Sequence, residues 1–259
     1  MMQRGEAMTT RLTSILETGT LTEHLDRGFE TTRPFAIHLL GPEHLDEVVA
    51  VQQLVVDSLE DPSMFYPGPR ELMAECLGPR GEVVGTFVED RLVGFRSVLY
   101  PGDRDDNLGL DIALEGQDLL SAAHLDRTAV DPAYRGNRLQ IRMTAHAIRL
   151  AVENSEWRHL FSTVAPGNFA SMKDKFTAGL QIVRIKKKYM DYWRHVFYRD
   201  IFCPVDVDLA TSVRVAGEDL DRQRTLVEEQ GYVGYQLEPT GSGIAVLFAK
   251  PARAIRGGR

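Results

Sequence analysis

The stretch LDRTAVDPAYRGNRLQIRM, Leu125–Met143, decides how the rest of the chain is read. Its opening, with AAH before it, is a β-rich run that ends at Val130. Asp131-Pro132 then turns the chain, since proline fixes its own φ and pushes the preceding residue out of helical geometry. Tyr134-Arg135-Gly136-Asn137 leads straight into a helical pattern. Over 137–153 two apolar stripes interleave, Leu139, Met143, Ala147, Leu150 and Ile141, Ala145, Ile148, Val152, and predict a helix with a wide buried face. A strand, a tight loop and a helix start make an anion-binding construction, because the first helical N–H groups have no partner within the helix and point at whatever lies ahead. Arg135, Arg138 and Arg142 add positive charge there, which suits a pyrophosphate.

Working outward, FAIHLL (35–40) reads as a strand. Leu45, Val48, Val51, Val55 and Leu59 predict a helix over 43–59, with Pro42 suited to its first turn. The loop SMFYPGPRE and a short helix RELMAECL follow. EVVGTFVED and RLVGFRSVLY, parted at Glu89-Asp90, predict an antiparallel hairpin; PGDRDDNLGLDI is a polar excursion before the strand Ala122–Val130. Downstream come a strand RHLFSTV, a helix over Asn168–Thr177, and two strand-like runs, LQIVRIKKKYM and DYWRHVFYRDI. After Cys203 the pattern restarts with a strand at Ser212–Val215, a helix over Glu218–Gln230, and a hairpin YVGYQLEP/GIAVLFAKP turned at Thr240-Gly241-Ser242-Gly243. At the other end, Leu12, Ile15 and Leu16, and again Leu21 and Leu25, are spaced to line a short helix face.

This order predicts an α/β chain of the α+β type: a mixed, mainly antiparallel twisted sheet flanked by helices, with one parallel pair in the middle. The expected organisation is an N-terminal extension over 1–33, a core over 34–202 and a small C-terminal α/β appendage over 203–259. Hydrophobic residues at 43% and charged residues at 26% place the chain with folded globular proteins. The formal charge of −7 argues against a general nucleic-acid binder, and Lys186–Lys188 read as a solvated strand edge. Two distant cysteines, Cys76 and Cys203, give neither a disulfide framework nor zinc spacing, so no metal is expected. The start lacks the apolar core of a secretory signal and no run is long enough to cross a bilayer, which predicts a cytoplasmic protein with no membrane partner. The aromatic stretch YMDYWRHVFYRD reads as a sheet face, a homodimer contact or a pocket wall.

DPAYRGNRLQ resembles the acetyl-CoA-binding signature of the GNAT superfamily of N-acyltransferases, Gln/Arg-x-x-Gly-x-Gly/Ala. Arg135 takes the leading position, whereas Arg138 and Gln140 stand where the two glycines are expected. VAPGNFASMKDKFTAGL is similar to the family's later motif, with Asn168, Ser171, Gly179 and Leu180 at matching positions. Asn168 and Gly179 are also good helix caps in their own right. Where many members carry a tyrosine acid, this chain has Lys175, with Phe176 beside it. The resemblance covers about Phe35 to Ile201 and implies a GNAT-like core.

What the resemblance implies is acetyl-CoA held where two parallel strands, Ala122–Val130 and His159–Val164, splay apart. The implied cofactor contacts are Thr128, Ala129, Val130, Arg135, Gly136, Asn137, Arg138, Leu139, Gln140, Asn168 and Ser171. An N–H near Thr128–Val130 would stabilise the oxyanion. The acetyl group would pass to a primary amine by direct attack in a ternary complex, so neither cysteine is implicated. His124 and Asp126, two apart on one strand face, are candidate bases; a satisfied half-buried histidine and a strand-end ion pair with Arg127 are the alternatives. Ser171 could protonate the leaving thiolate or be an ordinary helix-start residue. Met64, Phe65 and Tyr66 are candidate acceptor-pocket residues. A noncatalytic acyl-CoA-binding or regulatory module stands as the alternative function.

Overall fold

The computed structural model describes residues 15–25, 28–154, 156–241 and 243–255. The strands are β1 (Ile15–His24), β2 (Glu30–Leu40), β3 (Gly81–Val88), β4 (Arg91–Leu99), β5 (Ala122–Val130), β6 (His159–Val164), β7 (Gln181–Lys188), β8 (Tyr192–Asp200), β9 (Val207–Ala216), β10 (Val233–Thr240) and β11 (Gly243–Pro251). The helices are α1 (Leu45–Asp57), α2 (Arg70–Leu77), α3 (Gly116–Leu120), α4 (Leu139–Asn154), α5 (Phe169–Thr177) and α6 (Leu220–Arg224). The fold is thus of the α+β type, a mainly antiparallel arrangement of strands flanked by helices. Among the described residues no helix is long and apolar enough to cross a membrane. The chain divides into two compact units and changes unit inside β5 and inside α4.

The first unit holds the described residues up to Glu60, Pro67–Tyr100 and Asp126–Leu150. Its strands neighbour one another in the order β1-β2-β3-β4-β5, with β1/β2, β2/β3 and β3/β4 antiparallel. The helical spacing of Val48, Val51 and Val55 on α1 puts them on one face, where they join Met73, Cys76 and Leu77 of α2 against Val83, Leu92, Phe95, Leu99 and Ala129 of the strands. On α4, Leu139, Met143, Ala147 and Leu150 are buried, but in the second apolar stripe Ala145 is exposed. The buried face is therefore centred on the first stripe, widened by Thr144 and Ala151, with Ile141 and Ile148 half-buried. The segment from Ile15 is a strand, not a helix. Thr18, Thr20 and Thr22 favour extended backbone, and β2 supplies an antiparallel partner from Ile15↔His38 to His24↔Glu30. Leu12 lies outside the described residues.

The second unit holds Asp61–Tyr66, Pro101–Leu125 and the described residues from Ala151 on. Its strand order is β5-β6-β8-β7-β10-β11-β9. The parallel pair runs Ala122↔His159, Ala123↔Leu160 and His124↔Phe161; β6/β8, β7/β8, β7/β10, β10/β11 and β9/β11 are antiparallel. Strands from beyond Cys203 thus pair with β7, through Gly234↔Ile182. The polar excursion after β4 carries a 3-10 turn over Leu108–Ile112, started by the Asn107 side chain accepting from Gly109 N–H. Leu108, Ile112 and Leu114 pack there with Ala122, Phe161, Val183, Val196 and Tyr198. The predicted helix over 218–230 is α6 continued by a π turn, Thr225–Glu229. Of the predicted hairpin turn, Ser242 lies outside the described residues.

Both caps of α5 form as the sequence suggests. Asn168 Oδ1 accepts from Ser171 N–H (3.1 Å). At the other end Gly179 is left-handed (φ +76°), and Gly179 and Leu180 N–H donate to Phe176 O (2.9 Å) and Lys175 O (3.0 Å), the paired bonds of a Schellman ending.

Candidate functional site

The loop after β5 lies in the first unit and is braced from below. Asp131 is buried; its N–H donates to Val93 O (2.9 Å). Its carboxylate accepts from Ala133 N–H (2.9 Å) and from Arg91 (2.9 Å). That fixes the turn Pro132–Tyr134. The buried Tyr134 donates its hydroxyl to Glu23 (2.7 Å), and the Arg91 guanidinium stands 5.5 Å from its ring centre. Hydrogen bonds from Tyr134 and Arg33 hold the Glu23 carboxyl below the usual carboxylate range.

Gly136 and Arg138 both adopt left-handed backbone, φ +86° and +58°. The first N–H to close a turn of α4 is that of Arg142, on Arg138 O (3.0 Å). The N–H groups before it stand ahead of the first turn, where a helix offers donors to an anion. Arg138 is exposed and, among the described residues, its side chain has no hydrogen-bonding or ion-pair partner. Arg135 reaches Ser58 Oγ (3.0 Å). Arg142 lies over the Phe35 ring (4.8 Å) and meets Glu17 (3.3 Å).

Asn137 faces the other way. Its Oδ1 accepts from Thr22 N–H (2.7 Å), and its Nδ2 donates to Thr22 O (2.6 Å) and Tyr134 O (3.0 Å). His24 Nε2 lies 3.1 Å from Arg135 O. The strand β1 is therefore stitched to the loop, and the Asn137 side chain serves that joint. The Leu139 and Ala129 side chains are buried, and Thr128 Oγ1 donates to Phe95 O (3.0 Å). At these positions only backbone groups remain for a ligand. Gln140, the next residue, is half-buried, and Val130 at the strand end is half-buried as well.

The candidate bases differ sharply. Asp126, in the first unit, has a side chain 15% exposed and an ion pair with the buried Arg127 at 2.5 Å. Gly68, left-handed at φ +65°, makes room for that guanidinium, since a Cβ there would overlap it. His124, in the second unit, is buried, and its Nε2 accepts the Leu108 N–H (3.1 Å). Burial pushes its pKa down to about 3. The ring is neutral, and with Nε2 accepting, its proton sits on Nδ1.

Ser171 is half-buried on the first turn of α5, and the Asn168 Nδ2 is 3.5 Å from Met64 O. Lys175 is fully buried and pairs with Asp174 (2.6 Å), so this helix face presents an enclosed ion pair where the family motif has a phenol. Met64, Phe65 and Tyr66 are half-buried, and Tyr66 stacks on Tyr189 with ring centres 5.0 Å apart. The lysine run is engaged with carboxylates: Lys186 and Lys188 with Asp111, Lys187 with Asp191.

Sequence reasoning missed the Arg91–Asp131–Tyr134–Glu23 brace and the Asn137–Thr22 joint. The latter spans 115 residues of chain, and no local pattern marks it.

No family model and no curated protein matches the chain. The chain is similar to solved acetyltransferases. One is the GNAT-family acetyltransferase from Streptococcus pneumoniae, at 14% identity over 64% of this chain and 98% of that one, TM-score 0.48. Another is the ribosomal-protein-S18-alanine N-acetyltransferase from Escherichia coli, at 15% identity over 85% and 96%, TM-score 0.45. A third is yncA from Salmonella typhimurium, solved with its cofactor acetyl-CoA, at 10% identity over 66% and 97%, TM-score 0.48.

Proposed function

We propose that the chain is an acyl-CoA-dependent N-acyltransferase that moves acetyl from acetyl-CoA to a primary amine by direct attack in a ternary complex. The observation that carries this reading is the backbone of Arg138. The signature it resembles places glycine there, and this chain holds an arginine in the left-handed region that glycine favours (φ +58°). Such a residue costs on the order of 1 kcal/mol, and strain of this kind concentrates at ligand sites. The loop thereby keeps the course that presents N–H groups ahead of α4, while Arg138 adds an unpaired guanidinium for a phosphate.

The parallel pairing of β5 with β6 stops at His124↔Phe161, and the oxyanion donor near Thr128–Val130 is assigned to the stretch of β5 beyond it. Of the two candidate bases, Asp126 is the better. Its carboxylate is partly exposed, whereas His124 has already committed its accepting nitrogen to Leu108. Asn168 and Ser171 keep the roles the resemblance implies, cofactor contact for both and proton donation to the thiolate for Ser171. Two thiols with no disulfide fit a reducing cytoplasm.

Calorimetry with acetyl-CoA, followed by thiol release across a panel of primary amines, tests the reading. Failure to bind any acyl-CoA would overturn it. Binding without thiol release for any amine would favour a noncatalytic acyl-CoA-binding module, which the enclosed Lys175–Asp174 pair on α5 also suits.

A further inference from the structure

We propose that Arg194, at the start of β8, recognises the carboxylate of the acceptor, so that the substrate class is a small amine that also carries a carboxylate, as an α-amino acid does. This rests on the transferase reading for the word acceptor; the anion site itself does not.

Arg194 is only 4% exposed, yet among the described residues no carboxylate lies within ion-pair distance of it. Its Nη1 donates to Trp193 O (2.8 Å) and its Nη2 to Ser63 O (2.8 Å). A guanidinium has five N–H donors in a planar fork, so three remain. Its other neighbours are rings, Tyr192 at 5.4 Å and Tyr189 at 6.0 Å from centre to guanidinium carbon. Withdrawal from water pushes its pKa below the usual arginine value, with Asp61 acting only at longer range. A buried charge is ordinarily paired, because unpaired burial is among the most expensive arrangements in a folded chain. Here aromatic faces and two carbonyls surround the charge, and among the described residues no carboxylate is in contact with it.

The surroundings have the same sign. Lys186 stands opposite Arg194 in register, and Lys188 opposite Tyr192. Both ammonium groups share one carboxylate, Asp111, at 3.1 and 2.6 Å. Around this register position Arg194, Lys186 and Lys188 face the single carboxylate of Asp111, a local positive excess in a chain whose formal charge is −7. A planar fork flanked by aromatic rings suits one planar carboxylate with an apolar body.

The ring over Arg194 sits on an unusual tip. Tyr189, Met190 and Asp191 are three successive left-handed non-glycine residues, φ 44°, 48° and 73°, and Met190 is 74% exposed. Tyr189 also stacks on Tyr66 and lies with its hydroxyl 3.1 Å from Thr163 Oγ1. With Arg194 only 4% exposed, a ligand reaches the guanidinium only if Tyr189 moves aside with that tip.

The test is calorimetric binding and acetyl-CoA turnover with matched pairs, phenylalanine against phenylalaninamide and leucine against leucinamide. The acids should be preferred by about tenfold or more, the scale of one charge-assisted contact. In Arg194→Met the preference should vanish; should that variant fail to fold, Arg194→Lys, which keeps the charge and loses the fork, should reduce it. Equal treatment of acids and amides by the wild type, no binding by either pair, or a preference that survives in a folded Arg194 variant would overturn the proposal. If acetyl-CoA does not bind while the acids still bind through Arg194, the transferase reading fails and the anion site stands.

Discussion

Lowering the pH from 7 to 5 should weaken the second unit through two buried histidines. His124 is neutral with its accepting nitrogen on Leu108 N–H. His195 is also buried. Gln223 donates its amide to Ala216 O and Gly217 O, so its Oε1 accepts from His195 Nε2 (2.8 Å). The His195 Nδ1 is enclosed without a partner. Desolvation pushes the two pKa values down, to about 3 for His124 and about 4 for His195. An unfolded histidine titrates near 6.5. Between that value and the folded pKa the unfolded chain takes up a proton that the native one refuses, so stability falls as pH drops through 6.5 and continues to fall until the folded groups titrate. At pH 5 the gap is 1.5 pH units, or about 2 kcal/mol per histidine and about 4 kcal/mol together. His159, also pushed down by burial, acts with the same sign, and His38 does so in the first unit. Urea unfolding at pH 7, 6 and 5 measures the effect. His124→Gln, whose amide oxygen can still accept the Leu108 N–H, should remove about half of the pH dependence expected from the pair. A wild-type stability that is flat from pH 7 to 5, or a full slope retained by His124→Gln, would refute the reasoning.

Gly68→Ala should destabilise the first unit by roughly 2 kcal/mol, because a left-handed position gains a Cβ that overlaps the Arg127 guanidinium; an unchanged denaturation midpoint would contradict this. Asn137→Ala removes the joint between the loop and β1, costing about 2 kcal/mol, and should speed amide exchange at Thr22, whose N–H it holds. Gly136→Asp should weaken acetyl-CoA binding by about tenfold or more, by placing a carboxylate at a left-handed position in the proposed phosphate cradle; unchanged affinity would remove Gly136 from the site. Iodoacetamide should label Cys203 well before Cys76, since Cys76 is buried and its thiol is pushed up, a difference readable by mass spectrometry.

What the sequence made legible follows from local physics. Apolar periodicity located α1 and α4, and β-rich runs bounded by breakers located β3 to β8, including both strands of the parallel pair. Asn168 and Gly179 declared the ends of α5 because capping needs only neighbouring residues. The strand β1 was not legible. It buries little beyond Leu21, so its apolar residues carry no alternation, and its extended state depends on β2 and on the loop at Asn137. The same limit applies to the site. Asn137 falls inside a recognisable motif, yet its side chain answers to Thr22; His124 looks like a base until the Leu108 N–H is found on its ring. Arg194 gives no linear signal, since its burial comes from Ser63, Tyr189 and Tyr192 together.

The division of the chain also has a consequence for synthesis. The first unit needs Asp126–Leu150 as well as the residues before Glu60, and the bond from Thr22 to Asn137 closes 115 residues of chain. On a ribosome, β1 and β2 must therefore wait for more than half of the polypeptide to emerge before the loop that holds them exists. Until then the hairpin β1/β2 has its own ladder and its pairing with β3 but not the Asn137 bonds at Thr22.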